Sequence, residues 1–365
     1  MCSSRATEES ALRGRFLNTI RTASVCSKPR QLSIRDIATA AEVSHSTVSR
    51  ALQHSPLVKR ETAEKIQHIA EEMGFRASAI ARGLATNRTS TIGVVVTTIA
   101  DPFVAEIVGG IEETANDHGY SVFLANSNAD SEREIKVVHS FEERRVDGIV
   151  VTSSRVGALY TPMLSRMHIP IVLINNQHPG DFMHSVMIAN LEASRDATRH
   201  LIALGHKRIA YLGDQYGYQS DTERFAGYRE ALAEAGLPFQ PEMVVHGDGK
   251  SEGGMRAVEK LLALPQLPTA VFCYNDMSAL GVLRRLQLAG LEVPRDVSVV
   301  GFDDLFLAQF CHPPLTTVRQ PKRRMGQLAM ETLLRLLAGA ESEENITVPG
   351  ELIVRESTAP PREDR

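Results

Sequence analysis

The stretch Ser44-His45-Ser46-Thr47-Val48-Ser49-Arg50 holds the residues of this chain best suited to reading another molecule. At helical spacing Val48 and Leu52 fall on one face and can anchor it to a neighbour, while His45, Ser46, Ser49 and Arg50 project from the other. A helix of that length fits the major groove of B-DNA, where arginine matches guanine O6 and N7 and short hydroxyls reach bases or phosphates. The amides of its first turn can hold a phosphate as well. An ordinary surface helix with a polar face has the same pattern, so these residues alone leave both readings open.

Bond-making chemistry finds less support. There is no G-x-S-x-G, H-E-x-x-H or Walker A motif, and no G-x-G-x-x-G follows the apolar runs at Ile92 or Arg208. The run Gly247-Asp248-Gly249-Lys250-Ser251 resembles a phosphate loop but lacks the upstream glycine. Asp303 and Asp304 are adjacent on an extended segment, so they point in opposite directions and make a poor acid/base pair. Cys2, Cys26, Cys273 and Cys311 show no C-x-x-C spacing, which argues against a zinc site or a disulfide framework and suits a reducing cytoplasm. Cys273, inside the apolar run Ala270–Tyr274, reads as a small core residue. No catalytic residue, metal or cofactor is expected.

Three helical segments must position the candidate reading face. Ser33 with Asp36 forms a capping-box pattern, and Ile34, Ile37, Ala38 and Ala41 follow on one face. Ser44 caps a second helix from His45 to about Leu52. After Pro56 a third helix, about Lys59 to Met73, buries Ile66, Ile69, Ala70 and Met73 before Gly74 stops it. This is the arithmetic of a helix-turn-helix. Ser78–Ala85 is marginal as an isolated helix and reads as a linker that becomes helical on its target. From Thr91 onward short apolar runs alternate with amphipathic helices over two stretches of similar length, which implies two doubly wound parallel-sheet lobes. Ligands of such folds bind at the carboxyl ends of the strands, and Asn275 and Asp303 lie at two of those ends.

Charge divides along the same line. Residues 1–90 carry a net of +6 in a chain whose total is −4, so a small basic head precedes an acidic body, as a polyanion partner for the head would require. Met1 to Arg30 has no continuous apolar core and reads as a solvated arm, not a secretory signal. No apolar run approaches the length of a membrane span.

The head matches a known pattern: Ile-Arg-Asp-Ile-Ala from Ile34, Ala-Glu-Val-Ser-x-x-Thr-Val-Ser-Arg-Ala-Leu ending at Leu52, then Met73-Gly74-Phe75 and Ala81-Arg82-Gly83-Leu84. In the body, Asp101-Pro102-Phe103, Arg144-Arg145-Val146-Asp147-Gly148, Leu204-Gly205-His206-Lys207-Arg208-Ile209, Asn275-Asp276, Gly301-Phe302-Asp303-Asp304 and Pro314-Leu315-Thr316-Thr317 continue it. About nine-tenths of the chain thus resembles the lactose-repressor (LacI/GalR) family of transcription regulators. The fold this implies is an all-α helix-turn-helix head on a periplasmic-binding-protein-like α/β body.

That resemblance implies roles residue by residue. His45 and Ser46 would choose bases, Arg50 would contact guanine, Ser44, Thr47 and Ser49 would hold phosphates or support base contacts, and Ser33 and Arg35 would lie beside the backbone. Leu84 would be a minor-groove wedge at the operator centre, with Ser78, Ala81 and Arg82 beside it. Two such wedges require a homodimer on palindromic double-stranded DNA. In the cleft, Phe103, Asn175, Ser220, Arg224, Asn275, Asp303 and Gln320 would bind a small effector. With Phe103 as the only obvious aromatic platform, and Lys250-Ser251 where purine-binding relatives carry a second, a sugar, sugar acid or polyol is expected over a purine. Ligand would rotate the lobes and so change the spacing of the two Ser78–Ala85 linkers.

The expected organisation is an arm over 1–30, the reading head over 31–75, a hinge over 76–90, the body over 91–357 and a tail over 358–365. Within the body, lobe 1 takes about 91–188 and 321–340, and lobe 2 about 189–318 and 343–357. A dimer face is expected to include Ile107, Ile111 and the helix Arg323–Leu337, with core packing as the rival. No leucine heptads follow Ser357, so a tetramerising coiled coil is not expected. The competing functions are an enzyme, disfavoured by the missing motifs, and a sugar-binding protein that reads no DNA. Binding to duplex DNA separates the latter.

Overall fold

The computed structural model describes residues 32–52, 55–75, 88–154, 169–177, 184–340 and 345–362. The chain divides into two units, Met1–Arg82 and Gly83–Arg365.

In the first unit, helices α1 (Ile34–Ala41), α2 (His45–Leu52) and α3 (Arg60–Glu72) bury Ile37, Ala41, Val48, Ala51, Ile66 and Ala70 against one another. The Asp36 carboxylate accepts the Ser33 amide at 2.8 Å, closing the first turn of α1. Glu42 ends that helix at φ 56°, a left-handed residue that turns the chain. Ser44 Oγ then accepts the Thr47 amide at 3.1 Å and starts α2. The Gln67 side-chain amide, on α3, donates to the Ala51 carbonyl at 3.4 Å.

The second unit holds two six-stranded sheets. The first combines β1 (Thr91–Val96), β2 (Ser121–Asn126), β3 (Gly148–Thr152), β4 (Ile171–Ile174), β5 (Ser185–Ile188) and β11 (Asn345–Val348) in the order β11-β5-β4-β3-β1-β2, all parallel. The second combines β6 (Ile209–Asp214), β7 (Val244–Gly247), β8 (Ala270–Cys273), β9 (Ser298–Asp303), β10 (Thr316–Arg319) and β12 (Glu351–Ile353) in the order β12-β10-β9-β8-β6-β7, with β12 antiparallel. Central strands such as Gly148–Thr152 and Ile209–Asp214 are buried along their whole length, as helices on both faces require. Cys273 is buried on β8.

Helices α4 (Pro102–Asp117), α5 (Ser131–Glu143) and α10 (Lys322–Leu337) cover the first sheet, and α6 (Asn190–Ala203), α7 (Gln219–Glu234), α8 (Ser251–Leu262) and α9 (Asp276–Leu288) the second. Ile107 and Ile111 are buried in the first lobe's core, where α4 crosses α10. The apolar stripe expected to form a dimer face is thus an intrachain contact. The crossing is closed by two glycines: a Cβ at Gly110 would lie 2.1 Å from the Arg323 carbonyl oxygen, and one at Gly326 2.1 Å from that of Ile107. Backbone on both sides cannot yield as a side chain can. Gly326→Val is expected to destabilise the body by about 3 kcal/mol or more. A urea melt with an unchanged midpoint and slope would show that the helices part without cost.

Two expected boundaries need correction. Asn345–Val348 pairs with β5 in the first sheet, so the return to the second lobe falls after Val348 and not at about 343. Residues 358–362 of the expected tail are bound to lobe 2: the Ala359 carbonyl faces His206 Nε2 at 2.9 Å, and Ser298 Oγ accepts its amide at 3.1 Å. At the other end Asp147 accepts the amides of Thr89 and Ser90, each at 2.8 Å, and Arg88 donates to the Leu337 carbonyl at 3.2 Å, so among the described residues 88–90 are already bonded to the body. Among the described residues no helix is long and apolar enough to cross a membrane.

Candidate functional site

On α2 the buried residues are Val48 and Ala51, with Leu52 half-buried beside them. Ser44, His45, Ser46 and Arg50 are exposed, and Thr47 and Ser49 half-buried. Ser44 Oγ lies 2.9 Å from Ser46 Oγ and 2.8 Å from Thr47 Oγ1, so the first turn presents a linked row of hydroxyls. Ser33 and Arg35 are exposed at the start of α1. Ser78, Ala81, Arg82 and Leu84 lie outside the described residues.

The charge expected of the head sits beside it. Residues 32–75 hold five Lys/Arg against six Asp/Glu, so the +6 of the first ninety residues comes entirely from the segments flanking the three helices. The exposed face of α2 therefore offers hydrogen-bonding groups and one arginine, not a broad positive patch.

In the second unit, the carboxyl ends of both sets of strands open on one cavity of about 450 Å³, within the range that holds small ligands. Phe103, Asn175, Ser220, Arg224, Asn275, Asp303 and Gln320 all line it. Asp101 caps α4 by accepting the Phe103 amide at 2.9 Å, which brings Phe103 to the cavity wall. Burial pushes the Asp101 carboxyl up, against the pull of that hydrogen bond.

Arg224 is 3% exposed, so it is a buried cation and not a helix-surface arginine. Its guanidinium lies 3.7 Å from the Phe302 ring centre and 4.7 Å from that of Tyr274. Nε donates to Asn190 Oδ1 at 2.8 Å and Nη1 to the Tyr274 carbonyl at 2.6 Å. Stacking and two hydrogen bonds fix the fork before any ligand arrives. Asn275 is committed differently: its side-chain oxygen accepts the Ser278 amide at 2.9 Å, capping α9, and its Nδ2 donates to the Gly249 carbonyl at 2.9 Å. It shapes the Gly249–Lys250 loop more than it offers groups to the cavity.

Asp303 Oδ1 accepts Gln320 Nε2 at 2.7 Å. Desolvation, opposed by Arg224 and Lys322 and reinforced by Asp101, raises the Asp303 carboxyl to about 7. Gln320 Oε1 is buried without a hydrogen-bond partner among the described residues, an acceptor at the cavity wall. Ser220 donates through both N and Oγ to Gln177 Oε1, at 3.2 and 3.1 Å, tying lobe 2 to lobe 1 across the cavity's edge. Asn175 sits at φ 50°, past the end of β4.

Sequence reading missed Asp101, Gln177 and three tyrosines that line the cavity, Tyr216, Tyr218 and Tyr274. Phe103 is therefore not its only aromatic wall, and the ground for preferring a polyol to a flat ring is weaker than the sequence suggested. The available signal was position: Tyr216 and Tyr218 follow β6, and Tyr274 follows β8, at the same carboxyl ends that pointed to Asn275 and Asp303. No group of His, Cys, Asp and Glu that could hold a metal occurs among the described residues. Asp276, the carboxylate nearest in kind to a partner for Asp303, is closed off by Thr317 Oγ1 and the Leu305 amide and does not line the cavity.

Residues 33–78 match the model of bacterial regulatory proteins of the lacI family, and residues 198–358 that of a periplasmic binding protein-like domain. The HTH-type transcriptional repressor PurR of Aliivibrio fischeri is 35% identical over 331 residues, 90% of this chain and 98% of the relative. Among solved structures, the lac repressor dimer bound to operator and the anti-inducer ONPF superposes with a TM-score of 0.82 at 28% identity, covering 90% of this chain and all of that one. The complex of the transcriptional regulator CelR with cellobiose gives 0.69 at 31% identity, covering 89% and 99%. With a helix-turn-helix head, a two-lobed cleft and near full-length identity of this order, the chain belongs to the lacI family of bacterial regulatory proteins.

Proposed function

We propose that this protein represses transcription as a symmetric dimer on a two-fold operator, and that a small polar ligand in the lobe cleft sets its affinity for that operator. The observation that supports this most directly is the build of α2: one face is locked by Val48 and Ala51, and the other presents His45, Ser46 and Arg50 to solvent. His45, Ser46 and Arg50 read base edges, Ser44, Thr47 and Ser49 hold the phosphates flanking them, and Ser33 and Arg35 lie against the backbone. The Ser78–Ala85 segment enters the minor groove with Ala81, Arg82 and the Leu84 wedge. Acting on DNA places the protein in the cytoplasm.

The test is selection of bound duplexes from a random library by the full-length protein. An inverted repeat with a C·G step at its centre is expected. Absence of any enriched sequence, with and without cleft ligands, would leave a ligand-binding protein without an operator.

Dimerisation falls on apolar side chains that the fold leaves outside. Phe123 and Leu124 are 49% and 44% exposed on β2, the edge strand of the first sheet, and Phe306 and Phe310 are 59% and 73% exposed after β9. Exposed apolar groups on an edge strand need covering. Phe123→Asp combined with Phe310→Asp is expected to give a monomer by sedimentation and to weaken operator binding at least about 100-fold, because the two half-sites are then bound independently. A dimer that survives both changes would place the interface elsewhere.

For the ligand, Arg224, Asp303, Gln320 and Asn175 suit a molecule that both donates and accepts hydrogen bonds, such as a sugar, sugar acid or polyol, and Phe103 supplies an apolar wall for its C–H face. Tyr216, Tyr218 and Tyr274 favour a second reading, a ligand with a flat heteroaromatic ring. Thermal shift against cellobiose, ribose, a sugar acid and a free nucleoside separates them: a ligand at 100 times its Kd stabilises by about 2.7 kcal/mol. Ligand rotation of the lobes then acts through the two Ser78–Ala85 segments. A coupling of about 1–3 kcal/mol is expected, and operator must change ligand affinity by the same factor.

A further inference from the structure

Lys322, the first residue of α10, is 3% exposed, and all its partners are oxygens. Its Nζ donates to the backbone carbonyls of Asp303 and Asp304 at 2.7 and 2.8 Å, both in lobe 2. It also pairs at 3.4 Å with Glu106 of α4, in lobe 1. The two residues it grips occupy unusual backbone: Asp303 lies at φ 124° and Asp304 at φ 51°, consecutive positions where side chains are disfavoured. Such conformations persist only where the surroundings over-determine them, and they concentrate at functional sites.

The fastenings on this corner are specific. Arg319 Nε and Arg355 Nη2 donate to the Asp304 carboxylate at 2.7 and 2.6 Å, turning it away from the cavity. Thr317 Oγ1 accepts the Asp304 amide at 3.3 Å, and Asp276 accepts that of Leu305 at 2.8 Å. The Gln320 backbone amide adds a longer contact to the Asp303 carbonyl at 3.4 Å, but Lys322 is the one that holds both carbonyls, and its stem belongs to the other lobe. We infer that Lys322 is a positioning residue: it fixes the Asp303–Asp304 corner so that the Asp303 carboxylate faces the cleft, and joins that corner to α4 through Glu106. The positioning holds whatever the cleft binds. Its part in ligand response, a path from the cavity wall to the α4–α10 pair, rests on the cleft being the ligand site.

A residue that only packs would affect stability alike at every pH, whereas one that steadies Asp303 would not. The charged and titratable groups facing Asp303 are Arg224 on α7, Asp101 at the start of α4, Asp276 on α9 and Lys322 on α10, with the Gln320 amide against its oxygen. Lys322 lowers the Asp303 carboxyl, so Lys322→Met raises it further. Because the folded value already exceeds the ordinary one, Asp303 loses stability as pH rises from the usual carboxylate range to about 7. In Lys322→Met that loss continues above pH 7.

The experiment is thermal melting of the full-length wild type, Lys322→Met, Asp303→Asn and the double variant at pH 6 and pH 8.5. The wild-type-to-Lys322→Met gap in Tm is expected to widen by at least about 2 °C at the higher pH, and to stay constant with pH in the Asp303→Asn background. A gap equal at both pH values in both backgrounds overturns the assignment. Glu106→Gln supplies a second measurement should Lys322→Met not fold. Hydrogen exchange at the Asp304 and Leu305 amides is expected to accelerate at least about threefold in that variant. Exchange at the wild-type rate there would show that the link to α4 does not hold the corner. Neither outcome depends on which ligand the screen identifies, or on whether it identifies one.

Discussion

Arg50→Ala is expected to abolish preference for the operator while leaving binding to any duplex. Arginine paired to guanine O6 and N7 contributes on the order of 1–3 kcal/mol of discrimination, and a symmetric dimer uses it twice, so the variant loses about 2–6 kcal/mol of specificity. Typical specific binding exceeds non-specific binding by about 4–10 kcal/mol, so this is about half of the margin, enough to take the operator into the range of ordinary duplex. The remaining affinity is electrostatic and comes from Lys and Arg on either side of the three helices, since residues 32–75 have no positive excess of their own. Non-specific affinity and its salt slope should therefore match the wild type. Fold is not at risk: Arg50 is exposed, and Val48 and Ala51 hold the helix in place. Anisotropy titrations against operator and scrambled duplex at two salt concentrations measure both quantities. An operator-to-scrambled ratio equal to that of the wild type would remove Arg50 from the reading face.

That face was legible because its signals are local. Ser44 caps within its own turn, Val48 and Ala51 bury at helical spacing, and the turn between α1 and α2 needs only Glu42 in a left-handed conformation. Alternating strands and helices were legible for the same reason, since buried parallel strands and amphipathic helices have different periods. Contacts between elements were not. The stripe Ile107–Ile111 has one appearance whether it meets a second copy or α10; the glycines Gly110 and Gly326, which admit backbone on backbone, decide for α10. Asn345–Val348 is a strand on either sheet by composition, and only its pairing with β5 assigns it. Tyr216, Tyr218 and Tyr274 lie on or beside loops, where no periodicity marks them. Phe103 and Arg224 were found through neighbouring motif residues. Arg224 acquires its partners from Asn190 and Tyr274, 34 and 50 residues away. Asp303 does end strand β9, as the extended reading required, and the two carboxylates do point apart; what no local pattern announced is that φ is positive at both residues, 124° at Asp303 and 51° at Asp304.

Arg224→Leu is expected to remove the response to the cleft ligand while leaving operator affinity in its absence within about threefold of the wild type. The guanidinium is held by Asn190, the Tyr274 carbonyl and the rings of Phe302 and Tyr274, so its remaining donors meet a ligand with little rotamer freedom left to lose. A hydrogen bond from a charged group is worth about 1.5–3 kcal/mol, or about 10- to 150-fold in ligand affinity. A second effect acts in the same direction. Arg224 lowers the Asp303 carboxyl, and without it that group stays protonated to higher pH, so a ligand hydroxyl loses a charged acceptor near neutrality. The loss should therefore be larger at pH 7 than at pH 9, where Asp303 ionises even in the variant. Arg224→Lys tests the fork separately from the charge: an ammonium keeps Asp303 low but cannot stack on Phe302 and reach Asn190 and Tyr274 together, so it should restore the pH dependence without the affinity. The measurement is operator binding with and without the compound giving the largest thermal shift, at both pH values. Retention of the full ligand response by Arg224→Leu would mean that the cavity binds through Asn175, Asp303 and Gln320 alone, and that Arg224 is a strut between lobe 2 helices.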